Sequence, residues 1–311
     1  MKSMTNSEAQ LADGLRRITR GIVKSAEPMS RHTSFGIGGP ADIYVEPADG
    51  DDLAALVAWA NGRGVPWWVF GDGANVLVSD KGIRGLAIRM GRPFRRVRTD
   101  GQRVVAGSGA KLDKVVSAAV EAGLSGLEQV AGIPGTVGGA IAMNAGTYRG
   151  QVGDALERVS VVTSDGARCQ LYPEDLQFRY RWSIFQADQT KIIVEATFRL
   201  EPGDRDELVR TAQSVRRRRS LNLPAEGRSA GCIFKNPGGD QSAGQLIDQA
   251  GLKGARVGDA VVSDKHANFI LNMGSASAAD VRALAEKVRE TVHAEFGIAL
   301  EYEVRIVGDW Q

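Results

Sequence analysis

Glycine is concentrated in three segments whose backbone could bind phosphate groups. Of the 311 residues, 38 are glycine, roughly 12%, whereas about 7% is usual in globular proteins. The segments read SFGIGGPAD at 34–42, GDGANVLVSD at 71–80 and AGIPGTVGGAIAMNAG at 131–146. Because glycine permits positive φ and close backbone approach, successive N–H groups there can converge on phosphate oxygens. Each segment alone is typical of a tight turn, but three together favour a diphosphate-bearing cofactor.

The familiar nucleotide-binding motifs do not fit these segments. The run from Gly36 to Ala41 matches GxGxxA, but no apolar strand precedes it and Pro40 stands where a helix should begin. No GxxxxGK[ST] motif occurs, which disfavours a P-loop enzyme. The GDGANVL turn lies between two apolar stretches, a position that suits a phosphate cradle between strands. Spacing alone does not identify the ligand.

Composition and charge exclude several classes of protein. Hydrophobic residues make up 43% and charged residues 24%, as in ordinary globular domains. The net charge of +2 gives no general attraction to nucleic acid or to an anionic membrane. No apolar run has membrane-spanning length and none at the start resembles a secretory signal, so we expect a cytoplasmic protein. Cys169, Cys232 and the three histidines show no metal-ligand spacing, so we expect no metal.

Hydrophobic spacing predicts a mixed α and β chain in two parts. Helical spacing occurs at 52–60 and 112–120, and Asp-Gly pairs at 100–101 and 165–166 predict antiparallel hairpins. The turn residues at 201–204 indicate a boundary. The remaining predicted elements are strands at 191–200, 256–262, 268–272 and 300–307 and helices at 207–219, 242–250 and 278–295.

Six segments together resemble, in order and spacing, one family of flavoenzymes. They are the three glycine segments and the segments FRYRWSIF at 178–185, SAGCIFKNP at 229–237 and EYEVRIVG at 301–308. The family is that of UDP-N-acetylenolpyruvoylglucosamine reductase (MurB), and the likeness covers nearly the whole chain. Because no room is left for a substrate-covering insertion, the chain is similar to the family's shorter, type II form.

The resemblance implies an α+β fold in two main parts. The first is a two-part FAD-binding region of the vanillyl-alcohol-oxidase (PCMH) type at 1–203, divided into subdomains at about 20–85 and 86–203. The second is a C-terminal α+β substrate-binding domain at 204–311. The resemblance also implies FAD as bound cofactor, NADPH as co-substrate and a UDP-sugar enolpyruvyl ether as substrate.

The family's catalytic positions are matched by Arg181, Cys232 and Glu303. Reduction of an enolpyruvyl ether needs hydride at the terminal carbon, a proton at the carbon that bears the carboxylate, and stabilisation of the charge between these events. Arg181 can bind the carboxylate bidentately, and Glu303 completes the acid/base set. The residue type alone is equally consistent with Arg181 as a solvated arginine without a catalytic role. Side chains alternate between the two faces of a strand, so Glu303 would share one polar face with Glu301 and Arg305. An ordinary solvent-exposed strand face would show the same pattern.

The thiol of Cys232 stands where most members of the family have serine as the proton donor. A thiol with a pKa of about 8.5 is largely protonated at pH 7 and is a stronger acid than an alcohol. Lys235 and Arg181 nearby could lower that pKa and leave a thiolate with no proton to donate. The residue type alone also fits a small buried side chain that fills space.

The resemblance also assigns binding residues. The expected FAD contacts are Ser34, Gly36, Gly38, Gly71, Gly73, Asn75, Gly135, Thr136, Gly138 and Gly139. The expected substrate contacts are Tyr180, Arg219, Lys235, Asn236 and Asn268. Ala74 replaces a serine that is common in the family, so one hydroxyl is lost from the phosphate loop while its backbone donors remain.

The sequence therefore predicts NADPH-dependent, FAD-dependent reduction of UDP-N-acetylglucosamine enolpyruvate to UDP-N-acetylmuramate in peptidoglycan synthesis. We expect a monomer with no nucleic-acid or membrane partner. Two alternatives stay open from the residues. One is another flavin oxidase or dehydrogenase on the same scaffold. The other is a nucleotide-binding or RNA-binding module that uses the basic run 216–219, although the near-neutral charge counts against it.

Overall fold

The computed structural model describes residues 6–310, which form helices and strands in mixed order. The helices are α1 Asn6–Arg16, α2 Gly50–Asn61, α3 Leu112–Glu121, α4 Val137–Ala142, α5 Pro173–Leu176, α6 Arg205–Asn222, α7 Ala243–Gln249 and α8 Ala278–Phe296. Short 3-10 helices lie at Met29–Arg31, Arg92–Phe94, Glu128–Val130, Val152–Ala155 and Ile184–Gln186. Among the described residues, no helix combines the length and apolar character needed to cross a membrane.

Eighteen strands are found within the described part of the chain. They are β1 Ile22–Pro28, β2 Pro40–Glu46, β3 Trp67–Phe70, β4 Val76–Val78, β5 Ile83–Arg89, β6 Val97–Asp100, β7 Arg103–Gly107, β8 Leu124–Ser125, β9 Gly146–Thr147, β10 Gly150–Gln151, β11 Leu156–Thr163, β12 Arg168–Leu171, β13 Lys191–Arg199, β14 Glu201–Pro202, β15 Arg256–Val257, β16 Ala260–Val262, β17 Ile270–Asn272 and β18 Arg305–Val307.

The chain divides into two compact units that are not consecutive in sequence. The first contains the residues up to Ala26, Ile43–Asp72 and Gly85–Arg219. The second contains Glu27–Asp42, Gly73–Arg84 and the residues from Ser220 onward. Two of the three glycine segments therefore contribute to the unit that also holds the C-terminal third of the chain. The domain boundaries predicted after residues 85 and 203 stay predictions.

A four-stranded sheet in the order β1-β2-β5-β3 is covered by helix α2. The parallel pair β3 and β5 places Trp67 opposite Leu86. The helix begins after Asp49, whose side chain accepts a hydrogen bond from the Asp52 N–H at 2.9 Å. Its apolar face packs into one core with Leu86 because helical spacing brings Leu53 and Leu56 to the same side.

A five-stranded antiparallel sheet in the order β12-β11-β13-β7-β6 forms the larger part of the first unit. Both predicted Asp-Gly hairpins are confirmed, since β6 pairs with β7 and β11 pairs with β12 in antiparallel fashion. Helix α3 buries Leu112, Val115 and Val116 in one core with Val104 and Phe198 of the sheet. This core supports the glycine segment that leads into α4.

The second unit is built on a three-stranded antiparallel sheet and helix α8. The strands lie in the order β15-β16-β17, and α8 buries Val281, Leu284 and Val288 in the same core. Ser277 caps α8 by accepting from the Asp280 N–H at 3.0 Å, and Gly297 ends the helix at φ 68. The parallel pair β18 and β4 joins the last strand to the end of the GDGANVL segment.

The predicted last strand is too long. Regular pairing starts at Arg305, because only Arg305–Val307 forms a ladder with Val76–Val78. Residues 301–304 instead follow the backbone of residues 233–235 through separate hydrogen bonds, such as the Glu303 N–H to the Ile233 carbonyl at 2.8 Å. The prediction that Glu301, Glu303 and Arg305 lie on one polar face of a regular strand is therefore wrong.

Candidate active site

Two of the predicted flavin-binding segments meet in the first unit, at Gly71 and Thr136. A Cβ on Gly71 would lie 2.1 Å from the Thr136 Oγ1 atom, so only glycine fits there. Thr136 is buried and caps α4, where its hydroxyl accepts from the Gly139 N–H at 3.5 Å. Gly135 precedes it with φ 108, a conformation that glycine adopts readily. The Gly138 N–H already donates to the Ser108 carbonyl at 2.8 Å.

The other predicted flavin-binding residues meet in the second unit. The Ser34 N–H donates to the Gly73 carbonyl at 3.0 Å, which joins the first two glycine segments. A Cβ on Gly73 would lie 2.2 Å from the His32 carbonyl oxygen, and one on Gly36 would lie 2.5 Å from Nη1 of Arg228. A Cβ on Gly38 would lie 2.9 Å from the Val78 Cβ. Contacts within the protein are thus sufficient to require glycine at 38 and 73, whereas at 36 the positive φ of 64 favours glycine and the flexible Arg228 side chain can move away.

Arg181 lies in a tight turn of the first unit with a left-handed backbone. Its φ is 53, which is uncommon for a residue with a side chain. The turn is closed by hydrogen bonds in both directions between Arg179 and Trp182, each 3.1 Å long. The Arg181 Nη2 atom donates to the Gly146 carbonyl at 2.9 Å, and the guanidinium carbon lies 5.1 Å from the ring centroid of Tyr180. These contacts hold the guanidinium in place beside a half-exposed tyrosine.

Cys232 lies in an extended segment of the second unit. It forms an antiparallel bridge with Phe269 and takes part in no disulfide, and its side chain is half-buried. The next residue, Ile233, donates its N–H to the Asn268 carbonyl at 2.9 Å. The side chain of Asn268 is 3% exposed and makes two hydrogen bonds to the backbone of Phe234, at 3.0 and 2.8 Å. Asn268 therefore fixes the segment that carries Cys232.

Glu303 lies on the segment that runs alongside Cys232. Its N–H donates to the Ile233 carbonyl at 2.8 Å, while its own carbonyl accepts from the Asn75 side-chain amide at 3.0 Å. The Lys235 N–H donates to the Glu301 carbonyl at 2.8 Å, and the Lys235 Nζ atom lies 3.4 Å from the Glu301 carboxylate. The structure thus brings together the predicted residues Cys232, Glu303, Asn75 and Lys235 within one unit.

Neighbouring aromatic contacts stabilise the Glu303 segment. The ring centroids of Tyr302 and Phe234 are 5.3 Å apart, and the Tyr302 hydroxyl donates to the Glu286 carboxylate at 2.9 Å. Burial, followed by the hydrogen bond to Glu286, raises the pKa of Tyr302 well above its ordinary value. The phenol therefore keeps its proton and its anchoring hydrogen bond throughout the physiological range.

Several predicted substrate contacts have structural partners of their own. The Asn236 side-chain oxygen accepts from the Ala243 N–H at the start of α7, at 3.1 Å. Arg219 lies in the first unit, where its Nε atom donates to the Gly132 carbonyl at 3.3 Å. His266, two residues before Asn268, was not among the predicted contacts. Burial lowers its pKa, with a smaller contribution from Lys253, and this favours the neutral ring.

Sequence reasoning missed the residues that hold Arg181. Asn144, which is fully buried with φ 42, donates to the Arg179 carbonyl at 3.1 Å and to the Gln151 side chain at 2.9 Å. The Asn-Ala-Gly triplet at 144–146 was a usable signal, because asparagine tolerates the left-handed conformation better than most residues. Among the described residues, no group of three His, Cys, Asp or Glu side chains could hold a metal ion.

The chemistry of these residues fits FAD. None of the predicted flavin contacts carries a carboxylate that would repel a diphosphate, and the Ser34 and Thr136 hydroxyls can donate to its oxygens. The N–H groups of Ser34 and Gly138 bond within the protein. Residues 41–171 match the family model described as FAD binding domain. Residues 223–307 match the model described as UDP-N-acetylenolpyruvoylglucosamine reductase, C-terminal domain. Fold and site therefore define a flavoprotein.

Similar proteins extend this match over nearly the whole chain. The UDP-N-acetylenolpyruvoylglucosamine reductase of Heliobacterium modesticaldum is 46% identical over 93% of this chain and 92% of its own. Reductase 2 of Symbiobacterium thermophilum is 44% identical over 96% and 97%. The crystal structure of MurB from Thermus caldophilus superposes with a TM-score of 0.80 and 39% identity, covering 92% of this chain and 99% of that one.

This chain belongs to the UDP-N-acetylenolpyruvoylglucosamine reductase (MurB) family. The matches confirm the predicted fold class, FAD as cofactor with NADPH as co-substrate, and the predicted oxidoreductase function in peptidoglycan synthesis. The roles of individual site residues stay predictions.

Proposed function

We propose that this chain reduces UDP-N-acetylenolpyruvoylglucosamine to UDP-N-acetylmuramate with Arg181, Cys232 and Glu303 as its catalytic residues. The family match supports the reaction, since it covers both the FAD-binding region and the C-terminal region. FAD, when bound, would supply hydride-transfer chemistry between NADPH and the enolpyruvyl group. The UDP-sugar and NADPH are intracellular metabolites, which supports action in the cytoplasm, and we expect a monomer.

Arg181 binds the substrate carboxylate and stabilises the negative charge that develops there. A guanidinium presents a planar pair of donors that matches a carboxylate. The hydrogen bond to the Gly146 carbonyl and the stacking on Tyr180 support this role, because they orient the guanidinium before substrate binds. The left-handed φ of 53 indicates a constrained position of the kind found at functional sites.

Cys232 donates the proton to the carbon that bears the carboxylate, and Glu303 assists as the neighbouring acid. The observation that carries this assignment is the hydrogen bond between the Glu303 N–H and the Ile233 carbonyl, at 2.8 Å. It ties the glutamate to the residue directly after the donor. A thiol protonated at neutral pH has one transferable proton, which is what this step consumes.

Side chains close in sequence to the proposed catalytic residues bind the rest of the substrate. Lys235 offers an ammonium group, which can neutralise a diphosphate, and its backbone is fixed by the hydrogen bond to Glu301. Asn236, Tyr180 and Arg219 are further proposed contacts. Asn268 acts on the substrate indirectly, since both polar atoms of its side chain bond to Phe234.

The two half-reactions of Cys232 variants test the proposal. In Cys232→Ala we expect NADPH to reduce the flavin at the wild-type rate under anaerobic conditions. Reoxidation by the enolpyruvyl sugar should slow by on the order of 10²–10⁴-fold, the usual contribution of a general acid. Cys232→Ser should retain most of the reoxidation rate because a hydroxyl can also donate a proton.

Cys169→Ala is the matched control, because Cys169 lies exposed on the edge strand β12. It should behave as wild type in both half-reactions. Equal loss of both half-reactions in Cys232→Ala, with retained flavin, would overturn the role of Cys232 as donor. Unchanged reoxidation in that variant would do the same.

A further inference from the structure

A short hairpin of the first unit carries an exposed aromatic and cationic tip. Strands β9 and β10 pair through Thr147 opposite Gly150, and Tyr148 and Arg149 form the turn between them. Tyr148 is 77% exposed, the highest value among the large hydrophobic side chains that the structure describes as exposed. Its ring buries little apolar surface, so core packing does not account for a tyrosine here.

Two guanidinium groups converge on the hydroxyl of Tyr148. The Arg149 Nε atom donates to this oxygen at 2.8 Å, and the Arg149 guanidinium carbon lies 5.2 Å from the ring centroid. Arg218, from helix α6, donates to the same hydroxyl. Within residues 6–310, neither arginine forms an ion pair with a carboxylate. Two positive charges therefore share one neutral acceptor, an arrangement that attracts an anion.

The hairpin is fixed to the turn of the proposed catalytic arginine. The Gly146 carbonyl accepts from Arg181, and the Gln151 side chain accepts from Asn144, which also bonds to the Arg179 carbonyl. The Thr147 hydroxyl donates to the Gln129 carbonyl at 3.2 Å. The tip and the Arg181 turn thus share one rigid support, so a molecule bound at one is placed with respect to the other.

We infer that Tyr148, Arg149 and Arg218 form a binding subsite for a phosphoryl group of a nucleotide substrate. The inference rests on the proposed function, which supplies two such substrates, NADPH and the UDP-sugar. Guanidinium groups bind phosphate oxygens through paired, charge-assisted hydrogen bonds, and the tyrosine hydroxyl adds a further donor. The group bound is the 2′-phosphate of NADPH or a diphosphate, and the test separates these sources.

The test compares Arg149→Ala, Arg218→Ala and the double variant with Arg210→Ala. Arg210 is an exposed arginine on the same helix α6 and serves as the matched control. Dissociation constants for NADPH and NADH come from anaerobic flavin reduction, and those for the enolpyruvyl sugar come from the flavin spectral change on binding. Flavin content and Tm confirm that each variant is folded.

We expect each alanine variant to weaken phosphoryl binding on the order of tenfold, as for a charge-assisted hydrogen bond, while Arg210→Ala has no effect. A loss confined to NADPH, with NADH unchanged, identifies the 2′-phosphate. A loss for the UDP-sugar, or for NADPH and NADH alike, identifies a diphosphate. The dependence of the affected affinity on salt should also flatten in the double variant, which a purely structural role would not produce.

The inference is overturned if all three affinities in the double variant equal those of Arg210→Ala. It is equally overturned if Tm falls and the affinities fall without any change in salt dependence. Failure of the proposed function is a separate result, because wild-type protein would then show no flavin reduction by NADPH or no reoxidation by the sugar.

Discussion

At the scale of single residues, one buried amide fixes the backbone beside the proposed proton donor. Asn268 has its side-chain oxygen and nitrogen bonded to the N–H and carbonyl of Phe234, two residues after Cys232. Its backbone carbonyl also accepts from Ile233. Removal of this side chain would leave two buried backbone groups of one residue without partners, which is costly in free energy.

We predict that Asn268→Ala lowers the free energy of unfolding by about 2 kcal/mol or more, from two unsatisfied buried groups. Urea denaturation of the purified protein measures this change. Gln241→Ala, at an exposed amide, should change stability by no more than about 0.5 kcal/mol. If Asn268→Ala were as stable as wild type and only the affinity for the sugar fell, direct substrate contact would be the better account.

The types and order of residues predicted which residues are catalytic candidates, but they did not predict the backbone conformation of those residues. The resemblance selected Arg181, although its left-handed φ of 53 was unexpected for arginine. That conformation depends on long-range contacts, such as the hydrogen bond to Gly146, which local sequence does not encode. The exposed Tyr148 gave no signal either, because one aromatic residue just after a glycine-rich segment forms no pattern.

At the scale of elements, two glycines of the predicted flavin-binding segments are constrained differently. Gly71 lies against the buried side chain of Thr136, whose branched Cβ allows little rotation. Gly139 lies in helix α4, where a Cβ would meet Thr136 Oγ1 at an ordinary 3.6 Å. An alanine at 71 is therefore expected to disturb the protein itself, whereas an alanine at 139 fits the protein and would disturb only the cofactor proposed to bind there.

We predict that Gly71→Ala destabilises the apoprotein by about 1–3 kcal/mol, the usual cost of overpacking. Thermal unfolding without FAD measures it, and the double change Gly71→Ala with Thr136→Ala should recover part of the loss by removing the crowding hydroxyl and methyl groups. An unchanged Tm for Gly71→Ala would contradict the contact with Thr136.

Gly139→Ala should leave the Tm of the apoprotein unchanged or slightly raised, because alanine favours a helix over glycine. Its FAD affinity should fall, since the new methyl group occupies space proposed for the cofactor. Fluorescence titration of the apoprotein with FAD measures the affinity. Wild-type affinity in this variant would remove Gly139 from the flavin site.

The five predicted helices and the two Asp-Gly hairpins were predictable from the sequence, and the last strand was not. The prediction of a single strand at 256–262 was also wrong, because β15 and β16 form an antiparallel hairpin there, with Gly258 at φ 54 in the turn. The Asp100-Gly101 and Asp165-Gly166 turns encode their hairpins locally, because glycine supplies the positive φ at each turn. The path of 301–304 depends instead on single hydrogen bonds to residues 233–235, far away in sequence. Alternating side chains alone do not distinguish a strand in a ladder from an extended segment with isolated bridges.

At the scale of the whole molecule, chain order and spatial organisation differ. The segments Glu27–Asp42 and Gly73–Arg84 belong to the same compact unit as the C-terminal residues. Turn-forming residues such as Pro202-Gly203 indicate where a chain turns, but they do not indicate which distant segments pack together. The family resemblance, which uses the order of motifs over the full length, was therefore the stronger source of information about function.

The central claim is that one bound flavin connects NADPH oxidation to reduction of the enolpyruvyl sugar. An anaerobic titration followed by visible absorption tests it most directly. We predict that one equivalent of NADPH bleaches the yellow protein and that one equivalent of the enolpyruvyl sugar then restores the colour as UDP-N-acetylmuramate forms. A protein that NADPH fails to bleach, or that stays bleached with the sugar and regains colour only with oxygen, would contradict the claim.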